Sequence, residues 1–480
     1  MRKTLATLAW AAIPAILLSA CNGNATGGST GAAALPNTPA ASQHGGVSPN
    51  DTSSADLHAG GATFPAYGYN LSDQPVGTFK QVQPTPGPGS ILASAGTVHN
   101  VYYCLTGSGF GRKEFEQNNG TATVGCAALG QTAVGFGARK DPLDFVGSDV
   151  ALPSTECCAS GTTYATNRAA TDGQPFELPT FGGPIIFGYN TPSFPALSGA
   201  QLQLSTWAYC AIANGTISDW NDAAITKDNG GVSVTGGVSQ TINFYYRSDS
   251  SGTSFLFTNK LNDSTGGCNQ TFRAPYNKAP YASPSRSAAW TFGVNMVWPG
   301  PNTGRFHGEN GNPGVLAAIQ ADPFGTGYVE GAFAQAADLG QAALQNGNLN
   351  GHANFVSPTN KAAVALSLSK VTRASIQEGM GSDGISLGSS TPWCQLYIPP
   401  SVFVNPTQKG YPIVGLSYWL FYGVNHGFHI ADKKTLVRYI SSTAANAVLA
   451  PLEYTPLATS VHTAIRAALN GSGSQSACVQ

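Results

Sequence analysis

A chain of 480 residues, 42% of them hydrophobic, is long enough for two or three domains with substantial cores. Only 10% of residues are charged, against about 25% in typical soluble domains, and the formal net charge is -1. No basic excess is present, which excludes a nucleic-acid binder working through charge, and the 58 glycines and 31 prolines point to a turn-rich globular protein.

Residues 1–20 read as an export signal: Arg2 and Lys3 precede an apolar run from Leu5 to Leu18 that is too short for a stable membrane span. Leu18-Ser19-Ala20-Cys21 has the form of a lipobox, so Cys21 is the expected lipidation site and its lipid the expected membrane anchor. An ordinary secretory signal cut nearby fits the same residues. Residues 21–56, rich in Gly, Ala, Ser, Thr, Pro and Asn, read as a flexible tether. Within it, Gly27-Gly28-Ser29-Thr30-Gly31 matches a hydrolase elbow in form, but with no strand before it or helix after it the match is chance.

Eight cysteines follow Cys21: Cys104, Cys126, Cys157, Cys158, Cys210, Cys268, Cys394 and Cys478. An even number in an exported chain suggests disulfides, with the connectivity open. The neighbours Cys157 and Cys158 are expected to bond elsewhere rather than to each other. No Cys-x-x-Cys pair points to zinc.

The folded part begins near Ala59-Gly60-Gly61-Ala62-Thr63-Phe64-Pro65, where the Gly pair permits close backbone approach and Pro65 suits the first turn of a helix. A plain turn before a helix explains these residues equally well. Val101 to Leu105 reads as a strand, followed by the loop Thr106-Gly107-Ser108-Gly109-Phe110-Gly111 and a helix start at Arg112. Leu143 to Val150 is a short apolar strand that delivers Asp149 beside Gly147-Ser148, although an Asp after a strand is often only a turn former. Leu178 to Asn190 reads as a buried strand crossing into a second lobe.

The most informative stretch is Arg247-Ser248-Asp249-Ser250-Ser251-Gly252-Thr253, between a strand at Thr241 to Tyr246 and a helix from Ser254, on which Phe257 and Leu261 share a face. The N–H groups of Ser251, Gly252 and Thr253 are expected to point outward at a helix N-terminus, whose partial positive charge suits an oxyanion. Arg247 offers a charge-assisted fork that Asp249 can hold in place. Taken alone, an ordinary N-cap with a surface ion pair fits the loop as well.

Further on, helices are expected over Asn312 to Gln320, Lys361 to Leu366, Lys433 to Leu449 and Ser460 to Leu469. A strand is expected over Gly325 to Glu330, and a buried strand pair or bent strand over Tyr411 to Tyr422. His426-Gly427-Phe428-His429 can ligate a metal but has no acidic or Cys partner nearby, so neither a metal nor a cofactor is expected.

These motifs, in this order, resemble the phosphate-binding proteins of bacterial ABC importers, the PstS family. The family carries an Arg-Ser-Asp-Gly-Ser-Gly-Thr loop on its anion, and here Ser250 stands in place of the usual Gly, a strained choice if that position needs positive φ. The family's Gly-Ala-Thr-Phe-Pro segment maps onto Thr63 and Phe64, and its Gly-Ser-rich turn onto Ser108. Its Asp-Phe-Gly-Gly-Ser-Asp segment maps onto Leu143 to Asp149 and makes Asp149 the acceptor of the anion's proton. The regular helix that follows in the family is interrupted here by Gly68, Pro75, Pro84, Pro86 and Pro88.

The resemblance runs from about residue 59 to 470. It implies an α/β, two-lobe periplasmic-binding-protein fold, type II-like, with a cleft between lobes joined by crossing strands. Lobe I would be 57–180 plus 358–480 and lobe II 181–357. Lobe I would bring Thr63, Phe64, Ser108 and Asp149; lobe II would bring Arg247, Asp249, Ser251, Gly252 and Thr253. The implied ligand is inorganic phosphate, with arsenate competing, and the implied partners are the membrane subunits of an ABC permease. The protein would be a monomer, exported and lipid-anchored, in the periplasm or at the cell surface, and not an enzyme. Two further readings stand beside this one. The first is a surface lipoprotein that binds phosphate for adhesion or secretion rather than transport. The second is a phosphatase, for which no base or acidic metal cluster adjoins the hydroxyls.

Overall fold

Leu57–Gly61 (β1) is apolar apart from His58 and buries all five residues, as a strand does in the interior of a parallel sheet. Val101–Leu105 (β2) and Phe145–Ser148 (β3) flank it, both parallel. The computed structural model describes residues 56–71, 73–76, 79–82, 85–117, 143–349, 352–423 and 429–480. All of them fall in one unit, His44–Gln480. The expected signal at 1–20, the lipidation site Cys21, the tether up to residue 55, Gly27 to Gly31, Cys126 and His426 lie outside the described residues.

The strand Phe176–Tyr189 (β4) is the longest, and all 14 of its residues are buried. Asn243–Arg247 (β5), Phe306–Glu309 (β6), Gly325–Glu330 (β7) and Val414–Phe421 (β8) complete the main path, in the order β2-β1-β3-β8-β4-β7-β5-β6. β4 belongs to both halves of the sheet: Phe176 to Pro184 pair with β8, and Ile185 to Tyr189 with β7, antiparallel in both cases. Pro179 and Pro184 cannot donate to a ladder, and a register shift between Leu416 and Tyr418 accommodates the first of them. The expected strand over Tyr411 to Tyr422 is therefore a single strand, β8, which places the late part of the chain beside β3.

Helices follow the carboxyl ends of four of these strands, where α/β folds bind ligands. They are Ala66–Asn70 (α1), Ser108–Gln117 (α2), Gly252–Asn262 (α3) and Gly311–Ala321 (α4). α1 is barely more than a turn and stops at Leu71, whose φ of 40° is left-handed. Gly68 lets it lie against β4, because a Cβ there would stand 2.8 Å from Phe181 Cζ. The single helix expected over Lys433 to Leu449 is two, Ile430–Ile440 and Thr443–Leu449, because the Ser442 hydroxyl accepts the Ala445 N–H and starts a new helix. No helix among the described residues is long and apolar enough to cross a membrane.

The expectation for Cys157 and Cys158 is corrected: they are bonded to each other. A φ of 88° at Cys158 turns the chain in a left-handed bend, and both side chains are buried in a cluster with Phe115, Leu152, Tyr164 and Tyr422. Cys210–Cys268 and Cys394–Cys478 form the more usual long-range bridges. His429 is tied into an ion-pair network, with its Nδ1 2.8 Å from Asp144 Oδ1 and Lys433 Nζ 3.3 Å from the same oxygen.

The middle of the first half of the sheet is held by Trp419, fully buried on β8. Its ring lies 5.3 Å from Tyr69 and from Phe145, and 5.9 Å from Phe421. Trp419→Ala should lower unfolding stability by about 3–5 kcal/mol, seen as a lower urea midpoint with an unchanged denaturant slope.

Candidate anion-binding site

β1 ends in Gly60-Gly61 because nothing larger fits at Gly61. Its φ is 128°, and a Cβ there would stand 2.0 Å from Gly147 O on β3. The turn that follows carries Thr63, 1% exposed, and Phe64, fully buried, whose carbonyl accepts from Tyr454 OH at 2.7 Å. The loop after β2 places Ser108 at the start of α2, and β3 delivers Asp149 opposite it. Asp149 N donates to Ser108 Oγ at 3.1 Å, and Ser108 Oγ donates to Asp149 Oδ2 at 3.2 Å.

From the other half of the sheet, β5 ends at Arg247, 1% exposed. Its Nε donates to Asp249 Oδ1 at 2.6 Å and its Nη2 to Asp249 Oδ2, a bidentate pair. Nη1 reaches Thr63 Oγ1 at 2.9 Å, Asn312 Oδ1 at 3.0 Å and Thr253 Oγ1 at 3.5 Å. Arg247 thus spans both halves. Burial disfavours its charge, but Asp249 more than offsets this and raises the guanidinium pKa. Burial likewise works against the Asp249 carboxylate, but Arg247 and the N–H of Gly311 outweigh it and hold its pKa below the usual value.

The loop 247–253 meets α3 as the sequence suggests, with the helix beginning at Gly252 rather than Ser254. One detail of the expectation is corrected: the Ser251 N–H is not free, because it donates to Met296 O at 2.9 Å. Its hydroxyl accepts from Ser254 N at 3.2 Å as the helix N-cap. The N–H groups of Gly252 and Thr253 at the helix start, and those of Thr63, Phe64 and Ser108, make no hydrogen bond to another described residue. Ser250 does not adopt a positive φ, so the strain considered for it is absent. It fits because residue 109 is glycine: a Cβ there would stand 2.0 Å from Ser250 Oγ, and Gly109 N donates to Ser250 O at 3.0 Å.

All nine expected site residues therefore come together, with Asp249 behind Arg247 as its partner. Gly252 closes the gap between the two groups, since a Cβ on it would stand 2.5 Å from both Asp149 Cβ and Ser108 Oγ. Sequence reasoning missed Asn312, Tyr328 and Gly107. Tyr328 OH accepts the Arg247 N–H at 3.1 Å and lies 2.6 Å from Ser254 Oγ. Gly107, at φ 86°, leaves room for Asp249 Oδ2, which would stand 2.6 Å from a Cβ. Of these, only Gly107 had a local signal, in its Gly/Ser loop.

The arrangement gathers donors around two carboxylates, of which Asp249 is spent on Arg247 and Asp149 is not. Asp149 is 3% exposed, and its Oδ1 has no hydrogen-bond partner among the described residues. Burial raises its pKa from 3.8 to about 7, against the opposing effects of Ser417, Arg247 and Ser108. The folded protein therefore holds this proton more tightly than the unfolded chain does. Without ligand, stability attributable to Asp149 falls as pH rises from 3.8 to about 7. Asp149→Asn should remove that loss. Its stability gain over wild type should be near zero at the acid end of the window and a few kcal/mol above its upper end, measured by urea unfolding of the anion-stripped proteins across pH.

A family model described as a PBP superfamily domain matches residues 96–391. The phosphate-binding protein PstS of Methanocaldococcus jannaschii is 27% identical over 266 residues, 55% of this chain and 58% of that relative, so the chain spans less than two thirds of its length. Phosphate-binding protein PstS 2 of Mycobacterium tuberculosis is 27% identical over 406 residues, 84% of this chain and 80% of its own. The crystal structure of a DING protein superposes with a TM-score of 0.60 at 22% identity, covering 88% of this chain and 96% of that one, a likeness of fold. With the family model over more than half of its length, the chain belongs to the PBP superfamily, and the relatives it matches in sequence are PstS phosphate-binding proteins.

Proposed function

We propose that the protein binds inorganic phosphate between its two lobes and delivers it to an ABC-type import permease. The observation that carries this reading is Asp149, a buried carboxylate with one oxygen that has no hydrogen-bond partner among the described residues. Phosphate keeps at least one proton at neutral pH, which such an oxygen can accept. Sulfate keeps none, and would set its lone pairs against the carboxylate in a buried site. Thr63, Phe64, Ser108, Arg247, Ser251, Gly252 and Thr253 serve as the donor set, and Asp249 orients the guanidinium. The relatives named as phosphate-binding proteins support the ligand.

Lobe I is proposed to comprise 57–180 and 358–480, and lobe II 181–357. The change of strand partner within β4, between Pro184 and Ile185, supports a crossing close to the first boundary. Export with a lipid on Cys21 is proposed to hold the protein at the membrane beside its permease. Arsenate, with the same shape and protonation, is expected to compete.

Calorimetry of the protein stripped of anion tests this. Strong one-to-one phosphate binding, with no heat from sulfate, is expected. Asp149→Asn should lower the preference for phosphate over sulfate by at least about ten-fold, and Arg247→Lys should weaken phosphate by a similar factor because the bidentate fork is lost. An unchanged phosphate-to-sulfate ratio in Asp149→Asn would sink the assigned role of that carboxylate.

A further inference from the structure

Asn312 lies on the first turn of α4 and is fully buried. Gly311 N, one residue earlier, donates to Asp249 Oδ1 at 3.1 Å, so the start of this helix is seated on the Arg247–Asp249 pair. Asn312 Oδ1 accepts from Arg247 Nη1 at 3.0 Å. A guanidinium has only donors, so this contact fixes which way the amide faces. It leaves Nδ2, with two N–H groups, and no hydrogen-bond partner among the described residues. The same Arg247 Nη1 touches Thr63 Oγ1 and Thr253 Oγ1, so the amide shares its anchor atom with two members of the proposed donor set.

A buried, unpartnered NH2 is costly and calls for an acceptor. The site holds two such orphans of opposite kind, the donor Asn312 Nδ2 and the acceptor Asp149 Oδ1. A ligand that satisfies both carries bare oxygens and an O–H together, which is the chemistry of a partly protonated tetrahedral oxyanion. We propose that Asn312 is a further anion-contacting residue, donating from Nδ2 to an oxygen of the bound anion while its Oδ1 steadies Arg247. The assignment rests on the phosphate-binding reading above.

The test is NMR of the whole protein labelled with 15N at asparagine, with inorganic phosphate as the probe and the Asn312 side-chain signal assigned by its loss in Asn312→Ser. On saturation with phosphate, one Nδ2 proton should move downfield and show a through-hydrogen-bond coupling to 31P, which a residue that only props up Arg247 would not show. In parallel calorimetry Asn312→Ala should bind phosphate roughly ten- to a hundred-fold more weakly than wild type. A wild-type protein that binds phosphate while the Asn312 signal stays unmoved and uncoupled overturns the proposal, and so does an Asn312→Ala variant of undiminished affinity. A wild-type protein that binds no phosphate in the same titration overturns the phosphate reading itself and takes this assignment with it.

Discussion

A guanidinium buried to 1% exposure between two halves of a protein is unfavourable unless its donors are met, and Arg247 imposes that demand on everything near it. Asp249 neutralises it from two residues away. Asp249 in turn draws the Gly311 N–H, so the N-terminus of α4 is seated against the pair. Gly107 has to lack a side chain because Asp249 Oδ2 occupies that space. Tyr328, at the centre of β7, spends its hydroxyl on the Arg247 N–H and on Ser254, which binds the loop to the strand beside it. What is left of the guanidinium reaches across to Thr63, so the half of the sheet that carries β1 supplies part of the stabilisation of a charge carried by the half that holds β5.

That reach is possible because glycines permit close approach. Gly61 fits against Gly147 within one half of the sheet, and across the two halves Gly109 fits against Ser250 and Gly252 against the Asp149 and Ser108 side chains, each within a distance that excludes a Cβ. β4 sets the geometry behind this contact. It is buried along its whole length and pairs with β8 in one half and β7 in the other. One continuous strand therefore fixes where the two sets of loops face each other.

The loop 247–253 was legible because its chemistry is local: the Arg–Asp pair spans two residues and the helix start lies within the same stretch. β2, β3 and β7 were legible for the same reason, since a short apolar run bounded by Gly and polar residues has few alternatives, whereas β1 was read only as a turn before a helix. The split at Ser441-Ser442 also carried a local N-cap signal, obscured by the apolar periodicity continuing past it. The engagement of the Ser251 N–H by Met296, the contact of Asn312 with Arg247, and the pairing of Cys157 with Cys158 were not legible. The first two join residues 45 and 65 positions apart, and nothing near Ser251 or Asn312 marks the partner. The third depends on a left-handed residue in a buried bend.

The sequence by itself determined the kinds of groups available: a cationic fork with its own counter-charge, hydroxyls and glycines at helix starts, and one aspartate after a strand. It also set an apolar run long enough to serve two lobes. Tertiary structure decided which of those groups face one another, which donors have no partner among the described residues, and that Asp149 is buried deeply enough for its pKa to rise from 3.8 to about 7. The physical reason is that hydrogen-bond capacity and charge are properties of single residues and short segments. Burial, and the loss of a partner or of water that comes with it, exists only once distant segments have packed together.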